Sequence, residues 1–146
     1  MAVEVRTTVF DPWQELARFQ GEMAGNRGKY GATCVFVGSM RDFNEGDTVR
    51  SMFLEHYPQM TEIHLESICR EAARRWELLD TLIIHRVGEI RPDDSIVLVA
   101  AWSAHRSEAF GAARYLIEEL KSRAPFWKKE YLQEGTRWVE SNTPVS

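Results

Sequence analysis

Seven apolar residues in succession, Ile96–Trp102, form the longest such run in the chain and limit what it can fold into. The run is far too short to cross a bilayer as a helix. Arg91-Pro92-Asp93-Asp94, a strong turn signal, stands before it, and residues 81–87 make another β-rich run on the other side of that turn. The spacing therefore predicts two strands, 81–87 and 95–103, linked through a tight connection.

The rest of the chain is read around that pair. Residues 3–9 alternate weakly and predict a first strand. Asp11-Pro12-Trp13-Gln14 then supplies an N-cap, a proline at the first helical position and a glutamine where a capping box puts it. That helix runs to about Met23, and Gly25, Asn26 and Gly28 mark a loop. Residues 31–38 (GATCVFVG) lack a polar alternate, which predicts a strand buried on both faces. A turn at Asn44–Asp47 leads into a strand over 49–57. From Thr61 onward, Leu65, Ile68, Cys69, Ala72 and Trp76 fall on one helical stripe. A third helix is expected from Ser107 to Lys121, with Ala109, Ala113, Leu116, Ile117 and Leu120 on its apolar face and Pro125 as its stop. A short strand over 136–140 closes the order βαββαββαβ, an α+β arrangement expected to form one domain over residues 1–146.

Composition excludes more than it identifies. A net charge of -4 argues against a general nucleic-acid binder. The first ten residues lack the basic and apolar blocks of a secretion signal, so a soluble cytoplasmic protein is expected. Cys34 and Cys69 are too few for a disulfide scaffold, have no metal-ligand spacing, and fit small core residues. His56, His64 and His85 form no zinc-site pattern, and neither a glycine-rich nucleotide loop nor a nucleophile elbow is present. No metal and no cofactor is expected.

Three segments carry unusual chemistry. In Ser103-Ala104-His105-Arg106-Ser107 an apolar strand gives way to a helix, and backbone N–H groups at a helix start favour anions beside a His and an Arg. The same pattern is also met where Ser107 merely caps a helix and its neighbours are solvated. Lys121-Ser122-Arg123-Ala124-Pro125-Phe126-Trp127-Lys128-Lys129 places four cations around two aromatics. Lys121 lies at the border of its helix's apolar stripe, where a lysine either snorkels to solvent or faces a cleft. Neighbouring cations or partial burial would lower its pKa and make the amine a better nucleophile or proton carrier. Phe36-Val37-Gly38-Ser39-Met40-Arg41 ends a strand with an arginine that either binds phosphate or sits on the surface.

Together these segments resemble the molybdopterin synthase large, catalytic subunit family. The resemblance rests on Phe36–Arg41, Leu54-Glu55-His56-Tyr57-Pro58-Gln59-Met60-Thr61, His85-Arg86-Val87-Gly88-Glu89, Ser103–Ser107 and Leu120–Lys128, in the family's order over about residues 30–140. It implies an α/β hammerhead fold with an additional antiparallel β subdomain. It also implies a homodimer that binds a small ubiquitin-like carrier subunit at each end, giving a heterotetramer. The carrier's C-terminal Gly-Gly ends in a thiocarboxylate, and the implied activity is that of a sulfurtransferase in molybdenum cofactor biosynthesis. Two sulfurs pass to cyclic pyranopterin monophosphate to form the dithiolene of molybdopterin.

Carried over by motif, Lys121 and Lys128 match the catalytic lysines. Ser39, Met40, Arg41, His105, Arg106, Lys129 and Glu130 join them in matching the substrate-binding segments. Phe36 and Ile117 match the channel for the carrier's tail, where some relatives have methionine at the position of Ile117. Both ligands are anionic, so a cationic pocket lowers the cost of bringing them together. Two other classes stay open on the residues alone: a non-catalytic docking module for a ubiquitin-like tail, and an RNA-binding surface built on Phe126 and Trp127.

Overall fold

The structure is a computed structural model, and it describes residues 1–123, 126–133 and 135–139. The expected stop at Pro125 and the last residue of the expected final strand, Glu140, lie outside the described residues. Strand β1 (Ala2–Arg6) is followed by helix α1 (Pro12–Gly21), a 3₁₀ turn at Ala24–Asn26, and strands β2 (Ala32–Ser39), β3 (Phe43–Asn44) and β4 (Asp47–His56). Helix α2 (Met60–Arg75) leads to β5 (Asp80–Arg86), β6 (Gly88–Ile90) and β7 (Ser95–Ser103). Helix α3 (Arg106–Arg123), β8 (Phe126–Leu132) and β9 (Thr136–Val139) complete the order.

Local chemistry explains the helices. Asp11 caps α1 by accepting from the N–H groups of Trp13 and Gln14 at 3.0 and 3.4 Å, and Pro12 fits the first turn, whose N–H would have no partner in any case. In α2 the expected stripe is the buried one: Leu65, Ile68, Cys69 and Ala72 turn inward. Helix α3 buries Ala109, Ala112, Ala113, Leu116 and Leu120. Alanines at its first turns let it lie close to the sheet.

The strands form two sheets. The first has the order β1-β5-β7-β2, with β1 parallel to β5 and the other pairs antiparallel. Helices α2 and α3 cover one face through Leu65, Cys69, Leu116 and Leu120 packed on Ile83, Val97 and Val99. Phe10, Met23 and partly buried residues of α1 cover the other through Leu82, Ile84, Leu98 and Trp102. The apolar run Ile96–Trp102 thus lies in one of the two inner strands, with Val97–Trp102 wholly buried. Strand β2 does not meet its expectation of two buried faces. It is an edge strand, and Phe36 on it is 38% exposed.

The second sheet runs β3-β4-β8-β9, and β6 pairs with β4 as well. Its small core consists of Met40, Val49, Met52, Leu54, Val87 and Ile90. Phe126 and Ile96 pack against both this cluster and the helical one, so the two sheets meet where β8 begins and β7 enters. Strands β3, β6 and β8 were not expected from the sequence. The first two are two and three residues long. In β8 the alternate positions Lys128 and Glu130 point to the inner side, which hides the usual apolar period.

Candidate active site

Lys121 stands on the last turn of α3, and Lys128 lies on β8 opposite Leu54 of β4 and Val139 of β9. Two cavities meet at these lysines. The larger, about 310 Å³, is walled by apolar and aromatic side chains, among them Leu54, Leu120, Phe126 and Trp127, together with His85. The smaller, about 90 Å³, is polar and lined by Ser39, Met40, Arg41, Asn44 and Glu130. Met52, Ile96, Lys121 and Lys128 line both, so the lysine pair forms part of the partition between them. Burial first, and the Lys128 charge second, push the Lys121 amine below the ordinary lysine value. A half-buried amine whose pKa is lowered, standing where the two cavities meet, gives up its proton more readily than an exposed lysine.

The β2 end is held in place by backbone. A register shift between Gly38 and Ser39 breaks the ladder with β7, and Met40 then exchanges hydrogen bonds with the 91–94 turn. Its N–H donates to the Asp94 carbonyl at 2.9 Å, and the Asp93 N–H donates to the Met40 carbonyl at 3.0 Å. That fixes where Arg41 leaves the sheet. Its guanidinium lies 4.9 Å from the centre of the Phe43 ring and is exposed at the smaller cavity. A planar, always-charged donor there suits a phosphate.

Glu130, singled out from the sequence as a ligand-binding residue, lines the smaller cavity and is also held by its neighbours. Its carboxylate accepts from Asn44 Nδ2 at 3.1 and 3.0 Å and from Arg137 Nε at 2.9 Å. Arg137 also donates to the Asn44 carbonyl at 2.8 Å and pairs with Asp47. Glu130 therefore clamps the β3–β4 hairpin to β8 and β9, and sets the strand that carries Lys128. Lys129 points to the other face of β8, its Nζ 5.7 Å from the Tyr131 ring centre and 5.4 Å from that of Trp138. It lines neither cavity.

His105 and Arg106 lie elsewhere. Both are exposed at the start of α3, while Lys121 is fifteen residues further along the same helix, about 22 Å away at the usual rise. The chain by itself does not bring them to the lysine pair. Their backbone position is well defined: Ser103 Oγ donates to the Glu77 carbonyl at 2.8 Å and accepts from the His105 N–H at 3.4 Å. Phe36 and Ile117 line neither cavity. Ile117 lies one turn before Lys121 on the same face of α3, and so leads up to it.

His85 is the residue the sequence reading passed over. It is 3% exposed on β5, lines the larger cavity, and stacks on Phe126 with centroids 4.1 Å apart. In the sequence it is a histidine within a buried-strand pattern and the first residue of one family-like stretch, and neither tells of a cavity. Cys69 behaves as expected of a core thiol, since burial pushes it up to about 11. Among the described residues, no three His, Cys, Asp or Glu side chains gather as a metal site, and no helix is long and apolar enough to cross a membrane.

Comparison with known proteins agrees with this arrangement. The family model described as MoaE protein matches residues 7–123. A Pseudomonas aeruginosa relative named molybdopterin synthase catalytic subunit is 50% identical over 140 residues, covering 96% of this chain and 91% of its own. Among solved structures, a molybdopterin biosynthesis MoaE protein from Burkholderia ambifaria superposes with a TM-score of 0.79 at 41% identity, over 99% of this chain and 93% of that one. Molybdopterin synthase from Staphylococcus aureus gives 0.81 at 32% identity, over 93% and 95%. The mixed α+β arrangement expected from the sequence is theirs as well, and the chain belongs to the MoaE family, whose named relatives are catalytic subunits of molybdopterin synthase.

Proposed function

We propose that the protein moves sulfur from the thiocarboxylated Gly-Gly end of a small ubiquitin-like carrier onto cyclic pyranopterin monophosphate. Two such transfers build the dithiolene of molybdopterin. The observation that carries this is the lysine pair shared by two adjoining cavities, one with aromatic walls and one mainly polar. A reaction that joins two separately delivered anionic ligands needs a cationic meeting point with an approach from each side.

The carrier's sulfur is itself the nucleophile, so no cysteine of this chain takes part. Lys121 serves the incoming tail, which runs over Ile117 along α3 and brings its terminal carbon to the amine. Burial lowers the pKa of that amine, which favours its carrying a proton between the reacting groups. Lys128 and Arg41 offset the phosphate charge of the pterin from the polar side. His105 and Arg106 are too far from Lys121 in one copy to touch the same molecule. In the homodimer implied by the family resemblance, the α3 start of one copy supplies them to the site of the other.

The test is conversion of the pterin precursor by the protein together with thiocarboxylated carrier. The wild type forms molybdopterin, and Lys121→Ala binds carrier with normal affinity while forming little. Carrier binding by the wild type with no conversion would reduce the protein to a docking module.

A further inference from the structure

Three ionisable nitrogen-bearing side chains line the larger cavity, and the proposed function uses two of them, Lys121 and Lys128. His85 is the third. Its ring is fixed on two sides: Phe126 lies against its face with the planes 18° apart, and Nδ1 is 2.7 Å from the Arg86 carbonyl oxygen. A carbonyl oxygen only accepts, so Nδ1 carries the hydrogen and the lone pair of the neutral ring is on Nε2. The charged and titratable groups around it are Lys121 on α3, His56 on β4 and Lys128 on β8, with no carboxylate lining the same cavity among the described residues. Burial first, then the Lys121 and His56 charges, push its pKa down to about 3. The imidazole is therefore a fixed acceptor and a very poor base.

We propose that His85 is a positioning residue for Lys121, its Nε2 a neutral acceptor on the wall of the cavity they share, to which the amine turns an N–H at the partition between the two cavities. The proposal rests on the role given to Lys121 above. The choice of group follows from charge. A carboxylate at this place would hold the amine equally well, but it would keep the lysine protonated and cancel the positive potential that draws two anions together. A second arginine or lysine would repel it. A neutral acceptor orients a flexible four-carbon side chain without altering the field.

The test uses three variants of the full-length protein. His85→Phe keeps the flat ring against Phe126 and loses both nitrogens. His85→Asn keeps a donor toward the Arg86 carbonyl. His85→Gln reaches further and restores an acceptor near the place of Nε2. In the free protein, the titration of Lys121 is followed by carbon-13 NMR of its Cε. The His85→Phe and His85→Asn titrations move to lower pH, because the ammonium has lost an acceptor, and His85→Gln brings the midpoint back toward wild type. In turnover, kcat falls about tenfold to a hundredfold in the first two variants, the scale of a misplaced reacting group, and recovers in part in His85→Gln. KM for precursor and carrier stays within about twofold.

An unmoved Lys121 titration in His85→Phe overturns the proposal whatever happens to turnover, and so does full recovery by His85→Asn, which would reduce the ring to a strut for the Arg86 carbonyl. Should His85→Phe not fold, the contrast between Asn and Gln decides alone. Because the titration needs no activity, a wild type that makes no product would count against sulfur transfer and leave this measurement standing.

Discussion

Lys121 owes its chemistry to position: a lysine at the border of an apolar helical face, in the last turn of its helix, with a second cation on the facing strand. Lys121→Arg keeps the charge and loses the compact, titratable amine. Both Lys121→Arg and Lys121→Ala should cut molybdopterin formation by at least about a hundredfold, as for a positioned acid–base group. Single-turnover assays with saturating carrier check this, and near-normal turnover by Lys121→Arg would show that charge alone is required. The same burial has a cost in stability. A lysine whose folded pKa is depressed binds fewer protons folded than unfolded, so stability rises with pH between that value and the ordinary 10.5. Lys121→Met, similar in shape, should therefore melt higher than wild type at neutral pH while losing activity. His85 acts in the same direction, in a lower pH window. The unfolded chain protonates it below 6.5 and the folded chain only near 3, so stability falls as pH drops through that window. Glu15, held at about 2 chiefly by its hydrogen bonds from Arg6, adds its loss only below the ordinary carboxylate value of 4.5. Denaturation curves should thus show that His85→Phe abolishes the part of the loss already present above pH 4.5. Of these residues, helical spacing marked only Lys121, as a lysine at the border of an apolar stripe, and the pairing with Lys128 came from the family resemblance. His85 was not legible as a site residue, because what makes it unusual comes from Phe126, Lys121 and the Arg86 carbonyl, two of them distant in the chain.

The elements were legible where a periodic pattern was long. Helices α1, α2 and α3 and strands β5 and β7 lie where capping, stripe and turn signals put them, within a residue or two. The failures have a common cause. Strand β8 carries Lys128 and Glu130 on its inner side because that side faces cavities and a polar clamp, so its sequence lacks the alternation by which strands are recognised. Strand β2 has the composition of a buried strand, yet sits at a sheet edge, since burial is set by which neighbours a strand acquires. The clamp makes a prediction at this scale. Glu130→Gln leaves Arg137 and Asn44 facing a neutral amide in a nearly closed site, which should cost about 1.5–3 kcal/mol in chemical denaturation. It should also lower turnover, because β8 sets the position of Lys128. Unchanged stability would show that Arg137 finds equal partners in Asp47 and Glu45.

At the scale of the whole molecule, the distance along α3 is the main constraint. Arg106 and Lys121 stand at opposite ends of one helix, so a phosphate gripped by both requires two copies. Light scattering should find a dimer, and a larger complex when carrier is added. If sites are shared across a two-fold axis, mixing Lys121→Ala with Arg106→Ala places both defects in one site of each mixed dimer and leaves its other site intact. Random exchange then restores about a quarter of wild-type turnover to two inactive proteins. No recovery would mean that each copy works with its own residues. Whether the lysine pair at the junction of two cavities carries sulfur transfer is decided by one assay. Molybdopterin formed per site is measured with thiocarboxylated carrier and cyclic pyranopterin monophosphate, comparing wild type with Lys121→Ala at equal carrier occupancy. The wild type should form the dithiolene and the variant should lose it. Equal product from both proteins would contradict that role of the pair.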